Sequence, residues 1–290
     1  MNLAYQIWHH HHNRFLFLEA PDEFRPDSKT VRDLCKRYHT DGLLTYQLRQ
    51  QTSESTQKSP TPVLQVTQFW NDDGGHAGYC GNAHICLAQL AHAVQPRTPV
   101  IFGPRKLLFR SLKASPATFE MHPFEWQAFP ISSDALSKIP VLQEKRKFFE
   151  FAHFLTFGVP HLILGMAKSN RLALHQFELL SEDFLRTLTH PSELFPEGTN
   201  ITFAFRDVNE SYIASQTYER GCERFTPACG SGMIACWIVL LYRKHFQVNK
   251  RYQWFNGAEA LDFLIEDQSL KIMTEASHEQ SGLLNLPSTT

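Results

Sequence analysis

The chain has 290 residues, 42% of them hydrophobic and 20% charged, with a net charge of −1 and a pI near 6.9. That length holds two ordinary domains or one large one, and the apolar fraction supports a packed core, which argues against wholesale disorder. The near-neutral charge provides no basic field for nucleic acid or an anionic membrane, so the expected partner is a small molecule.

The opening Met1-Asn2-Leu3-Ala4-Tyr5-Gln6-Ile7-Trp8 lacks the basic flank and cleavage site of a signal peptide. No run approaches the ~18 consecutive apolar residues of a membrane span. A cytoplasmic protein is the expectation. His9 to His12 are four consecutive histidines between Ile7-Trp8 and Asn13-Arg14-Phe15-Leu16-Phe17-Leu18, a strand-like setting unlike that of a terminal tag. They are taken as native, and no functional metal site is expected there.

Asp27 to Tyr38 reads as a short amphipathic helix with Val31, Leu34 and Cys35 apolar and Ser28 as its cap. Leu43 to Leu48 and Val63 to Trp70 read as strands, separated by a Ser/Thr/Gln/Pro-rich loop from Gln51 to Pro62. A Gly/Asp turn region, Asn71 to Gly78, leads into Cys80. The apolar run after Cys80 places Ala83, Cys86, Leu87, Leu90, Ala91 and Val94 at helical spacing, a core-facing stripe. Strands recur at Val100 to Phe102, Leu107 to Phe109 and Thr118 to Met121, before a connecting segment over Ile131 to Lys147, in which Glu144 to Lys147 is a solvated face.

A second strand-rich block holds Phe151 to Thr156, His161 to Gly165, Ile201 to Phe205 and Tyr212 to Gln216, with a helix over Leu179 to Leu188. Met233 to Tyr242, after Cys229, is apolar nearly all round and predicts a helix buried inside something. Phe263 to Ile265 and Leu270 to Met273 close the set. The order strands, cysteine, buried helix thus occurs twice. It predicts an α+β fold of two pseudo-symmetric domains, each a curved, mostly antiparallel sheet around a buried central helix. The expected division is 1–130 with 276–290 for the half carrying Cys80, and 131–275 for the half carrying Cys229, with an active site in the cleft between them if both helix starts point into it.

The six cysteines include no CxxC pair, which argues against a zinc ribbon or thioredoxin motif. Cys35, Cys86, Cys222 and Cys236 read as small buried hydrophobes. Cys80 (Tyr79-Cys80-Gly81-Asn82) and Cys229 (Ala228-Cys229-Gly230-Ser231-Gly232) differ, because each stands where a helix begins. The partial positive charge there draws a thiol below its free pKa of ~8.5. The following amides, at Gly81 and Asn82 or Gly230 and Ser231, can receive a carboxylate or the oxyanion formed from it. With one sulfur on each face of an α-carbon, a thiolate removes the proton and a thiol returns one from the opposite side. That chemistry requires no cofactor and no metal. A disulfide between the two sulfurs is a further reading.

At these residues the chain resembles the diaminopimelate epimerase family of pyridoxal-phosphate-independent amino-acid epimerases and racemases. Phe69-Trp70-Asn71-Asp72-Asp73-Gly74-Gly75-His76-Ala77-Gly78-Tyr79-Cys80-Gly81-Asn82 resembles the family's F-N-x-D-G-S-E-x-x-x-C-G-N. Gly158-Val159-Pro160-His161 resembles G-N-P-H, Thr199-Asn200-Ile201 resembles T-N-V, and Tyr218-Glu219-Arg220-Gly221 with Ala228 to Gly232 resembles Y-E-R-G and A-C-G-T-G. Asp41-Gly42 and Met273-Thr274 also find counterparts.

The resemblance implies Cys80 and Cys229 as the two-base pair. It implies Asn13, Asn82, Glu219 and the amides of Gly81, Gly230 and Ser231 around the amino-acid head, with Glu219 on the ammonium. Asn71, Asn200 and Arg220 would hold the far end, Arg220 through a two-pronged contact to a carboxylate, and His161 would support the site. Without that motif context Glu219 and Arg220 would read as surface ion-pair residues and the asparagines as turn formers.

Departures from the pattern bear on substrate. The family asparagine of G-N-P-H is Val159, the glycines of H-G-L-G-N-D-F are lost in His9 to Phe15, and one extra residue separates Glu219 from Cys229. The expected activity is therefore α-carbon epimerisation of L,L-diaminopimelate with relaxed distal specificity, feeding lysine and peptidoglycan precursors. Glutamate is the alternative substrate and histidine a weaker one. A ligand-binding pseudoenzyme is the alternative of another class. Phenazine-type relatives are disfavoured because they do not use the two cysteines. The expected partner is a small amino acid, without nucleic acid or membrane, and a homodimer is compatible with the sequence.

Overall fold

The computed structural model describes residues 1–51, 61–102, 107–114, 117–121, 129–130, 148–166, 181–193, 195–207, 212–221, 223–226, 229–256, 259–266 and 269–286. Most of the expected 51–62 loop, the connecting segment 131–147, the helix start at Leu179 and the packing role of Cys222 lie outside the described residues. The chain is α+β and divides into two compact units, Met1–His122 with Ser269–Thr290, and Pro123–Gln268.

In the first unit, β1 (Asn2–His10) and β2 (Asn13–Glu19) form a hairpin whose two-residue turn is His11-His12. His11 has φ +52°, the left-handed setting that such turns demand. The histidine run is thus the end of one strand, a turn, and the entry to the next. The unit continues through α1 (Ser28–Tyr38), β3 (Gly42–Gln51), β4 (Thr61–Asn71), α2 (Gly81–Val94), β5 (Val100–Phe102), β6 (Leu107–Ala114) and β7 (Ala117–Met121). β2 and β3 run parallel across α1, with Phe15 opposite Gly42, and β4 and β5 run parallel across α2, with Leu64 opposite Val100. β1–β2, β3–β4, β5–β6 and β6–β7 are antiparallel. The C-terminal strands β16 (Ser269–Met273) and β17 (Ser277–Asn285) pair antiparallel with β7 and β1.

The second unit repeats this connectivity. It contains β8 (Phe129–Pro130), β9 (Phe149–Phe157), β10 (Val159–Met166), α3 (Glu182–Thr189), β11 (Asn200–Asp207), β12 (Tyr212–Glu219), β13 (Arg224–Phe225), α4 (Gly230–Tyr242), β14 (Arg251–Asn256) and β15 (Glu259–Glu266). β9–β10, β11–β12 and β14–β15 are antiparallel. β10 and β11 run parallel across α3, and β12 and β14 run parallel across α4. The sequence antiparallel, parallel, antiparallel, parallel, antiparallel is that of β1 to β6, with helices at the same two crossovers.

The helices sort by composition. In α1 and α3 one stripe is apolar, and Val31, Leu34 and Cys35, or Phe184, Leu185 and Leu188, pack against the sheet of their own unit. In α4 every residue from Gly230 to Leu240 is buried, and in α2 burial runs from Gly81 to Ala91 with only Gln89 partly exposed. Burying a side chain such as Ile234 or Leu240 stabilises its unit by about 1.5–3 kcal/mol.

Two expectations are corrected. Val94, expected on the core face, is 52% exposed, because burial of α2 ends a turn earlier at Ala91. The cap of α1 is Asp27, not Ser28: the Asp27 carboxylate accepts from the Thr30 amide at 2.7 Å, and Ser28 is the first helical residue. Among the described residues no helix is long and apolar enough to cross a membrane.

Candidate active site

Each unit builds its own set of site residues around the start of its buried helix. In the first unit Cys80 is the N-cap of α2, with extended backbone (φ −141°, ψ 118°) and no side-chain capping hydrogen bond. Its carbonyl accepts from the His84 amide at 3.1 Å and from His84 Nδ1 at 2.6 Å. Burial lowers the His84 pKa to about 4, so the ring is neutral and Nδ1 carries the donated proton. The Tyr79 ring stacks on His84 at 4.3 Å, packing the residue before the cysteine against the first helical turn. Gly81 and Asn82 occupy that turn, whose amides have no acceptor within the helix.

Asn82 is buried and joins Asn13: its Nδ2 donates to Asn13 Oδ1 at 2.6 Å. Its Oδ1 lies 3.1 Å from His10 Nδ1, and His10 Nε2 lies 2.9 Å from the Thr274 hydroxyl. Asn71 is exposed at the end of β4. Its amide donates to the Gly75 carbonyl at 2.9 Å and its carbonyl accepts from the Gly74 amide at 3.0 Å, closing the turn that leads towards Cys80. Gly74 has φ +80°, and a Cβ there would strike the Ser28 carbonyl.

In the second unit Cys229 is the N-cap of α4, again extended (φ −121°, ψ 98°). Its Sγ accepts from the Gly232 amide at 3.4 Å and lies 3.5 Å from the Ser231 hydroxyl. Gly232 must be glycine: a Cβ would sit inside van der Waals contact of Thr217 Oγ1, 2.9 Å from Thr202 Oγ1 and 3.2 Å from Cys229 Sγ. Thr202 and Thr217 share a 3.0 Å hydrogen bond on adjacent strands, and Thr202 reaches His161 Nδ1 at 3.4 Å. Burial, then the Arg220 charge, lowers His161 to about 3, so it is neutral.

Glu219 ends β12 and accepts from the Thr226 hydroxyl at 2.5 Å. Asn200, the first residue of β11, accepts the Arg220 amide at 3.0 Å, and the Arg220 guanidinium donates to the Glu197 carbonyl. Val159 begins β10 just after Gly158, which turns the chain at φ +72°.

The expected drop in thiol pKa does not hold for Cys229. Burial pushes it well above the ordinary value and the Glu219 carboxylate pushes the same way; the Ser231 hydroxyl, the Gly232 amide and the Thr217 hydroxyl only partly offset this. Cys35, Cys86 and Cys236 are buried free thiols with pKa values raised by burial, as befits packing residues. Neither Cys80 nor Cys229 is in a disulfide. Among the described residues no group of His, Cys, Asp and Glu is arranged to hold a metal, the histidine run included.

The structure therefore gathers Asn13, Cys80, Gly81 and Asn82 in one unit. In the other it gathers Cys229, Gly230 and Ser231, places the Glu219 carboxylate where its charge acts on Cys229, and joins Asn200 to Arg220 and His161 to Thr202. Sequence reasoning missed His10, Thr202, Thr217 and Thr226. No sequence signal pointed to His10: strand alternation places it with the outward-facing Asn2, Ala4 and Gln6, opposite the core residues Leu3, Tyr5 and Ile7, yet it is buried.

The fold, two like-connected α+β units, is a known one. The fold is shared by a predicted epimerase from Pseudomonas aeruginosa (TM-score 0.62, 11% identity, 99% of this chain and 100% of that one). It is shared by a phenazine biosynthesis protein of the PhzF family from Enterococcus faecalis (TM-score 0.57, 11% identity, 99% and 100%). A hydroxyproline epimerase from Agrobacterium vitis also shares it (TM-score 0.52, 12% identity, 100% and 92%).

The resemblance read from the motifs also holds in sequence. The chain is similar to the diaminopimelate epimerase of Helicobacter pylori (strain P12), 36% identical over 181 residues, which are 59% of this chain and 60% of that protein. It is similar to that of Caulobacter vibrioides (strain NA1000 / CB15N), 24% identical over 283 residues, 94% of each. The chain thus spans about 60% of the length of the Helicobacter pylori relatives it matches. No family model matches.

Proposed function

We propose that the protein is an isomerase that inverts the α-carbon of an amino acid with Cys80 and Cys229 as its two bases and no cofactor. The observation that carries this reading is the placement of both cysteines as N-caps of buried helices at equivalent crossovers, each followed by first-turn amides. The similarity to diaminopimelate epimerases supports L,L-diaminopimelate as substrate and meso-diaminopimelate as product, which would place the protein in the cytoplasm on the route to lysine and peptidoglycan precursors.

The reading requires both thiols to reach one α-carbon from opposite faces. Cys229, held up by burial and by Glu219, keeps its proton at neutral pH and delivers it, while Cys80 takes the substrate's α-proton; the reverse reaction exchanges these roles. The negative charge that develops on the substrate carboxylate falls on the amides of Gly81, Asn82, Gly230 and Ser231. Glu219 receives the ammonium, and Arg220 with Asn200 and Asn71 the distal group.

Racemisation of glutamate is the second reading. It is favoured by Val159, an apolar side chain where the motif's asparagine would contribute a polar contact to the longer substrate. Incubation of reduced protein in D2O with L,L-diaminopimelate and with L-glutamate, followed by NMR of the α-proton, tests both. Exchange of the first and not the second is expected. The opposite ranking would assign glutamate. Absence of exchange with either would leave a ligand-binding protein and refute the catalytic reading. Cys80→Ala and Cys229→Ala are each expected to abolish exchange.

A further inference from the structure

The chain Thr274–His10–Asn82–Asn13 does more than fill space, because its hydrogen bonds have a direction. Asn82 Nδ2 donates to Asn13 Oδ1, which leaves Asn82 Oδ1 facing His10 Nδ1 at 3.1 Å. A carboxamide oxygen only accepts, so Nδ1 carries the proton. His10 is 1% exposed, and burial, with the neighbouring His11 and His9, lowers it to about 3, so the ring is neutral and Nε2 is bare. Nε2 then accepts the Thr274 hydroxyl proton across 2.9 Å. At the far end Asn13 has spent its oxygen on Asn82, and its Nδ2 finds no partner among the described residues.

The opposite tautomer would reverse every link. With the proton on Nε2, Asn82 would turn its amide group to His10 and its oxygen to Asn13. Asn13 would then turn its own amide inwards and present an oxygen outwards. We propose that His10 is a positioning residue whose Nδ1–H tautomer, with its bare Nε2 satisfied by the Thr274 hydroxyl, fixes Asn13 as a hydrogen-bond donor towards the substrate carboxylate. A carboxylate only accepts, so the reversed chain would repel the group that Asn13 is there to hold. This histidine stands where the family pattern H-G-L-G-N-D-F has its first glycine, so the device belongs to this chain. The inference rests on the proposed epimerase reading for the identity of the ligand, but not for the tautomer.

Two measurements test it. Long-range ¹H–¹⁵N correlation spectra of the full chain at pH 7.5 are expected to show His10 with a protonated Nδ1 and a bare Nε2; a proton on Nε2 overturns the proposal outright. In the α-deuteration assay, His10→Asn places an amide donor where Nδ1 stood and is expected to keep KM within about twofold. His10→Gln, whose amide reaches the Nε2 position, and His10→Ala are expected to raise KM about tenfold with kcat within about threefold, the pattern of lost uniform binding. Equal KM values for His10→Asn and His10→Gln would overturn the directional argument even if His10→Ala does not fold. A wild-type protein without exchange would refute the epimerase reading and this proposal with it. An active wild type with an unchanged His10→Ala would overturn this proposal alone.

Discussion

Acidification should destabilise this protein before its carboxylates are titrated. Among the described residues four histidines are 0–2% exposed: His10 and His84 in the first unit, His153 and His161 in the second. Burial holds their folded pKa values at about 3, 4, 4 and 3 respectively. An unfolded histidine titrates near 6.5. Because the folded values are depressed, the stability these groups contribute is complete above about pH 6.5 and is lost as pH falls towards 4, where only the unfolded chain takes up protons. At pH 5.5 each group costs about 1.4 kcal/mol and at pH 5.0 about 2 kcal/mol, so each unit loses about 3 and then about 4 kcal/mol. A typical domain has ~5–15 kcal/mol in all. Urea unfolding at pH 7.5, 6.5 and 5.5, followed by fluorescence of the buried Trp70, Trp237 and Trp254, measures the loss. His153 packs edge-on against Phe151 and Tyr242, so His153→Phe should remove one quarter of the pH dependence while keeping its contacts. A stability at pH 5.5 within about 1 kcal/mol of that at pH 7.5 would refute the assignment of these rings as buried and neutral.

Three further outcomes follow from single sites. Gly232→Ala should destabilise by about 1–3 kcal/mol despite alanine's better helix propensity, because its Cβ would crowd Thr217, Thr202 and Cys229 Sγ, and α-proton exchange should fall with it; a stabilised variant would show that the threonine pair yields freely. Glu219→Gln removes one of the two influences holding the Cys229 thiol up, so in a Cys80→Ala background its reaction with iodoacetamide should begin at lower pH, and an unmoved profile would leave burial as the sole cause. Cys35, raised from 9.0 to about 11, makes stability fall as pH climbs above 9, by about 2–3 kcal/mol at pH 11; Cys35→Val should remove that share of an alkaline limb to which the buried Cys86, Cys229 and Cys236 also contribute, as read in alkaline urea titrations.

The parts of this protein governed by local sequence were legible. Strand-like runs located β2, β3 and β4, and the nearly all-apolar run after Cys229 announced a helix buried on every side, which α4 is. Local competition defeated finer points. Asp27 and Ser28 are both good caps, and periodicity does not rank them; the carboxylate reaching the Thr30 amide decided it. Val94 fits the apolar stripe of α2 but lies beyond the turn at which burial stops. The site's supporting contacts were invisible for another reason. His10 meets Asn82 across 72 residues and Thr274 across 264, distances over which spacing carries no information. The sign of the Cys229 shift also needed the fold. A helix start lowers a thiol pKa, but only the structure shows how deeply that start is buried and that Glu219 acts on it.

The caps themselves separate the two helix types. α1 and α3, on the outside of their sheets, are capped by Asp27 at 2.7 Å and Ser181 at 3.2 Å. The buried α2 and α4, where unsatisfied amides cost most, are capped by cysteines: Cys80 makes no capping bond and Cys229 a weak one at 3.4 Å. A poor cap costs about 0.5–2 kcal/mol, a cost incurred at the two helix starts where a ligand carboxylate would supply the missing acceptor. Cys80→Ser tests this opposition between stability and function. The backbone at φ −141°, ψ 118° is that of an N-cap, so the smaller, stronger acceptor should bond a first-turn amide. The variant should gain about 0.5–2 kcal/mol in urea unfolding without ligand and lose α-proton exchange, because a serine hydroxyl is too weak an acid to serve as the base. A variant less stable than wild type would mean that Cys80 already satisfies its helix, and that the open amides are not held in reserve for a ligand.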